Sequence, residues 1–131
     1  MNICSEIIKR YLNWLGDQFQ VTDSAHGNGC IINTPFQDNT GKFIEIEIYS
    51  NNENNIIISD RGETFDSLFL QGINIHTPKR KNIIENILND YNATVQNGEI
   101  WLNSNFENLS ATIQNIVHII NNIAYLTRQS G

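Results

Sequence analysis

The stretch that decides the fold is Phe43-Ile44-Glu45-Ile46-Glu47-Ile48-Tyr49, then Ser50 and the Asn-rich segment 51–55, then Ile56-Ile57-Ile58-Ser59-Asp60-Arg61-Gly62-Glu63-Thr64. Its first part alternates strictly, with Ile44, Ile46 and Ile48 on one face and Glu45 and Glu47 on the other. That period of two predicts a half-buried strand with one wet face, which antiparallel sheets commonly have. The Asn-rich segment reads as a hairpin loop and Ile56–Ser59 as the returning strand. At Asp60 the β-branched run stops, passes Gly62, reaches Thr64, and the pattern becomes helical. Such a corner presents backbone N–H groups at a helix start, where anions and polar partners are favoured.

Outward from this core, Ile3, Ile7, Ile8, Tyr11, Leu12, Leu15 and Phe19 recur at helical spacing, with Lys9, Arg10, Asn13 and Asp17 on the other side. This predicts an amphipathic helix at the start of the chain. Val21–Asp23 reads as a short strand, 27–29 as a turn, and Cys30–Thr34 as a strand stopped by Pro35. Beyond the corner, Phe65, Leu68, Phe69 and Ile73 fit a short helix ended by Gly72. Thr77-Pro78 has the chemistry of an N-cap followed by the first helical residue. Asn97-Gly98 is a two-residue hairpin signal joining residues 93–95 to 99–102. The last helix carries Ile113, Ile116, Val117, Ile120, Ile123 and Ala124, with Ile119 and Leu126 off the main stripe, so it needs a second buried contact: the sheet plus the first helix, or another subunit. The expected fold is α+β: one domain over residues 1–131, a largely antiparallel sheet of four to six strands, and the N- and C-terminal helices packed on it.

With 131 residues, the chain can bury one core without cross-links. Its net charge of −6 argues against general capture of nucleic acid, which needs a basic footprint. An acidic surface suits a basic protein partner instead. Cys4 and Cys30 form no Cys-x-x-Cys pair and no secretory segment is read, so free thiols in the cytoplasm are expected. No apolar run reaches the roughly 18 residues of a membrane span.

Three blocks resemble a known family. They are Thr34-Pro35-Phe36 with Asp38 and Gly41; the alternating strand; and Ser59-Asp60-x-Gly62-x-Thr64 with Leu68 and Gly72-Ile73. Arg80, Ile84, Ile87-Leu88 and Tyr91 follow. Together they resemble the bacterial and phage family DUF1828. The resemblance implies no activity, but the occurrence of relatives in prophages and mobile elements points toward host–phage or defence functions. The family corner usually reads Asp-Asp-Gly, where this chain has Asp60-Arg61-Gly62.

The candidate binding surface is Asp60, Arg61, Gly62, Glu63 and Thr64 with Lys79 and Arg80. Structurally, Asp60 would end the strand, Gly62 take a positive φ and Thr64 cap the following helix. Lys79, Arg80 and Lys81 stand in a first helical turn, against the helix dipole, so a counter-charge is expected: Asp60, Glu63 or Asp66 internally, or an external phosphate. Glu45 and Glu47, about 7 Å apart along their strand, could join Asp60 as a hard-cation or nuclease-like site. The Lys that such a nuclease strand needs is missing, and a solvated face is the simpler reading. His26, His76 and His118 are dispersed, with His118 expected to be partly buried, and Trp14 and Trp101 read as core aromatics. No catalytic triad, metal set or cofactor motif is read. The expected function is therefore a small acidic, cytoplasmic, phage- or mobile-element-associated module that binds a protein, as inhibitor or adaptor in host defence. Its partner would be a basic nucleic-acid-handling protein, and a homodimer is compatible. A metal-dependent enzyme using Glu45, Glu47 and Asp60, and nucleic-acid binding through Lys79, Arg80 and Lys81, are the alternatives.

Overall fold

The computed structural model describes residues 2–25, 28–52 and 54–129. His26, Gly27 of the first expected turn and Glu53 of the Asn-rich loop lie outside them. In chain order the elements are α1 (Ile3–Asp17), β1 (Gln20–Asp23), β2 (Gly29–Gln37), β3 (Phe43–Asn52), β4 (Asn55–Ser59), α2 (Glu63–Leu70), α3 (Pro78–Asp90), β5 (Thr94–Gln96), β6 (Glu99–Ser104) and α4 (Leu109–Gln129). The strands form one six-stranded antiparallel sheet in the order β1-β2-β3-β4-β6-β5. The protein is thus an α+β domain.

Alternation sets the two faces of this sheet. Ile46 lies beside Ile32, Ile48 beside Ile58, and Ile58 beside Leu102. With Ile44, Ile56 and Ile100 these residues form the sheet side of the core. α4 lies on β4 and β6 over this face, α2 beside it, and α3 packs on α4. The second cover of α4 is therefore α3 and α2 and not the first helix, and Ile119 is fully buried. Leu126 remains partly exposed.

Local signals behave as their chemistry predicts at several points. Thr77 Oγ1 accepts from Arg80 N at 3.3 Å, and Pro78 opens α3. Asn97 and Gly98 both take positive φ, 53° and 79°, as a type I′ hairpin requires. After α2, Gly72 turns left-handed and Ile73 N donates back to Leu68 O.

The departures are as informative. Pro35 does not stop β2, which continues to Gln37; the register against β3 shifts between Asn33 and Gln37, so Pro35 sits where no ladder donor is needed. α1 does not pack on the sheet. None of its residues is buried, and its apolar stripe faces outward. Phe19, just beyond it, meets the fold edge-on to Phe36. Trp14 is accordingly not a core aromatic but stacks on Tyr11 in the open. Phe69 and His118 are also exposed; His118 contacts Gln114 one turn away rather than the core.

Candidate functional site

Asp60 is the pivot of the corner. It is 1% exposed and all its partners are backbone N–H groups. Oδ1 accepts from Gly62 N at 2.9 Å and Ile100 N at 2.8 Å, and Oδ2 accepts from Thr64 N at 3.2 Å. The carboxylate therefore ties the end of β4 to β6 and fills the start of α2, the very groups that would otherwise hold an external anion. Asp60 performs the capping expected of Thr64, whose own side chain is buried and makes no cap bond. Gly62 adopts φ 79° as expected, and Arg61 before it also enters the left-handed region at φ 65°.

Arg61 turns outward. Its Nη1 donates to Glu45 Oε2 at 3.0 Å and lies 3.9 Å from Glu63 Oε1, while Lys42 Nζ lies 3.5 Å from Glu63 Oε2. A cation in place of the second corner carboxylate thus meets two glutamates. A cavity of about 30 Å3 beside this cluster, bordered by Asp38, Lys42, Glu45, Asp60 and Glu63, has room for about one water molecule.

Arg80 has no carboxylate partner at Asp60, Glu63 or Asp66. Its Nε donates to Thr127 O at 2.9 Å and its Nη1 to Asn74 O at 3.2 Å. Thr127 O is among the last four carbonyls of α4, which have no partner within the helix. The counter-charge at the start of α3 is therefore the negative end of α4, and the guanidinium holds α3, α4 and the loop between α2 and α3 together. Lys79 and Lys81 on either side are exposed.

The three acids proposed as a cation site do not form one ligand set: Glu45 and Asp60 border the same small cavity, but Glu45 is paired with Arg61 and the Asp60 carboxylate is filled by backbone donors. Glu45 and Glu47 point to the sheet face away from the helices, while Asp60 continues the core-side alternation of Ile58 and is filled by N–H donors. Among the described residues no group of three or more His, Cys, Asp or Glu could hold a metal ion.

On the face without helices, strand pairing assembles a surface that local reading did not find. Glu47 stands beside Ser59 and Ser59 beside Trp101, with Glu45, Tyr49, Ile57, Glu99 and Asn103 on the same side. Ser59 Oγ donates to Glu99 Oε1 at 2.7 Å, and the Tyr49 and Trp101 rings meet edge-on at 6.1 Å. Glu47 is nearly buried although no helix covers it. Burial, then Glu99 and Glu47, push the Tyr49 phenol above its ordinary pKa. Trp101 Nε1 is shut off from solvent without a hydrogen-bond acceptor among the described residues. The alternation of β3 and β6 could have revealed each half of this face; their joining through β4 could not be read, because β4 and β6 are separated by two helices and a hairpin in sequence.

Residues 34–123, from the second half of β2 into α4, match the family described as a domain of unknown function, DUF1828. The chain belongs to the DUF1828 family. The matched region contains the corner, Arg80 and the acidic face, and leaves α1 and β1 outside. No curated protein and no solved structure matches the chain. Among the described residues no helix of this DUF1828 protein is long and apolar enough to cross a membrane.

Proposed function

We propose that this DUF1828 domain is a cytoplasmic protein-docking module whose contact surface is the bare face of β3, β4 and β6, and that it holds a basic partner. The observation that carries the reading is the union on that face of the partly exposed Glu45 and Glu99 with the Tyr49–Trp101 pair. Aromatic residues ringed by charge supply the packed anchor and the steering of a protein interface. Arg61 and Glu63 form the rim of this surface, and Asp60, Gly62 and Thr64 shape the corner beside it; Arg80 and Lys79 stand apart at the start of α3.

A partner that handles nucleic acid offers the complementary basic surface, and an inhibitory or adaptor role in host defence, on a phage or mobile element, is the reading to which the family resemblance adds support. Nucleic-acid binding through Lys79, Arg80 and Lys81 is less well supported, because Arg80 is committed to two carbonyls and the whole chain carries −6.

The test is affinity capture from host lysate with the wild-type chain and with Asn103→Lys, checked for an unchanged thermal midpoint, and Glu99→Lys, which loses the Ser59 contact and is checked for a retained cooperative transition. A stoichiometric partner held by the wild type, weakened by added salt and lost with both lysine variants, is the expected result. Recovery of no partner, capture indifferent to the two lysines, or metal-dependent DNA cleavage by the pure protein would overturn the proposal.

A further inference from the structure

α1 begins as its sequence prescribes. Asn2 Oδ1 accepts from Cys4 N to cap it, and Arg10 Nε pairs with Glu6 one turn away at 3.0 Å. At 100° per residue, Ile3, Ile7, Ile8, Tyr11, Leu12, Trp14 and Leu15 cover about half of the helix circumference. Six of them, all but Leu15, are between 51% and 72% exposed. Together the six present roughly 600 Å2 of largely apolar surface, the upper end of what a lone soluble domain shows. No α1 residue belongs to the core cluster, and α1 lies outside the region matched to the family.

We infer that α1 is an association element that pairs with the α1 of a second copy of this chain, in antiparallel orientation. Area sets the scale: the two arcs together expose about 1,200 Å2, and the facing strips that two packed helices bury are a share of that, in the range of small, concentration-dependent interfaces. Charge fits as well. Glu6 and Asp17 cancel Lys9 and Arg10, so two helices approach without net repulsion and the whole −6 of the chain resides beyond α1. That charge also selects the orientation. A parallel pair would set both acidic domains at the same helix ends. An antiparallel pair of these 15-residue helices separates them by about 22 Å, more than two screening lengths in physiological salt. The neutral polar side of α1 lacks the lysine and arginine excess of helices that lie on anionic membranes. Stacked Tyr11 and Trp14, with ring centroids 6.2 Å apart, supply a preformed aromatic anchor at the centre of the seam. The inference is independent of the sheet-face reading, which uses none of these residues.

Light scattering and sedimentation of the full chain from low to tens-of-micromolar concentration test it. The expected species has twice the 15.0 kDa chain mass. The double variant Ile8→Glu/Tyr11→Glu, substituted at exposed positions, should retain its circular dichroism and thermal transition and fall to the single-chain mass. In a Cys4→Ser/Cys30→Ser background, Tyr11→Cys should cross-link two copies under oxidation, because residue 11 meets itself at the seam's two-fold axis. Ile3→Cys should not, because the two copies of residue 3 stand at opposite ends. A monomer at every concentration, a dimer that survives the double variant, cross-linking through residue 3 rather than 11, or a monomer that instead sediments with anionic vesicles would each overturn the inference.

Discussion

Replacing Arg80 with alanine removes two bonds that no neighbouring side chain replaces: Nε to Thr127 O at 2.9 Å and Nη1 to Asn74 O at 3.2 Å. A hydrogen bond to a charged group contributes about 1.5–3 kcal/mol when sheltered, and a cation at a helix C-terminus about 0.3–1 kcal/mol when exposed. The Thr127 contact is part-buried and the Asn74 contact exposed, so the first dominates and the sum is about 2 kcal/mol. For a chain of 131 residues that corresponds to a thermal midpoint lower by roughly 6–10 °C. Arg80→Lys keeps the charge near the end of α4 but loses the planar fork that reaches two carbonyls at once, so it should recover less than half of the loss. Chemical denaturation of the three proteins, with equal m-values, gives the comparison. A midpoint for Arg80→Ala within experimental error of the wild type would refute the claim that Arg80 joins α3 to α4. It would return Arg80 to the pool of residues available to a partner. Because the inferred dimer seam involves only α1, the measurement belongs at dilute protein, where association adds nothing to stability.

Two further outcomes follow from the corner and the sheet. Asp60→Ala leaves the N–H groups of Gly62, Thr64 and Ile100 without their acceptor in a buried place and should cost roughly 3–5 kcal/mol. Asp60→Asn, which puts an amide donor among donors, should cost somewhat less, read as the urea midpoint; an Asn variant as stable as the wild type would refute the capping role. Burial first, then Asp23 and Glu47, hold the Cys30 thiol above its ordinary pKa. In a Cys4→Ser background the rate of thiol labelling against pH should therefore have its midpoint above that of the urea-unfolded chain. The sign for stability is the same: the preference of the fold for the neutral thiol is fully present below the unfolded pKa and is lost as pH rises through the folded value. A folded midpoint at or below the unfolded one would contradict this.

Local chemistry, acting within a few residues, was enough to determine much of this protein. The alternation in Phe43–Tyr49, the Asn97-Gly98 hairpin, the Thr77-Pro78 helix start and the left-handed Gly62 and Gly72 all appear as their residues dictate. Together they set an antiparallel α+β fold before any partner is known, because period and turn type depend only on neighbours in sequence. The partners themselves were decided in three dimensions. Asp60 read as a strand end and became the acceptor for Ile100 N, 40 residues away. Arg80 signalled that a counter-charge was needed, yet Asp60, Glu63 and Asp66 did not supply it; the carbonyl of Thr127, 47 residues on, did. Trp101, which read as core, went to the bare face because β6 pairs with β4 in a register that puts it beside Ser59. The stripe of α1 has the period of a packed helix, but periodicity says only that one side is apolar. Whether anything covers that side depends on where the remaining elements have already closed the core, and here α2, α3 and α4 close it without α1.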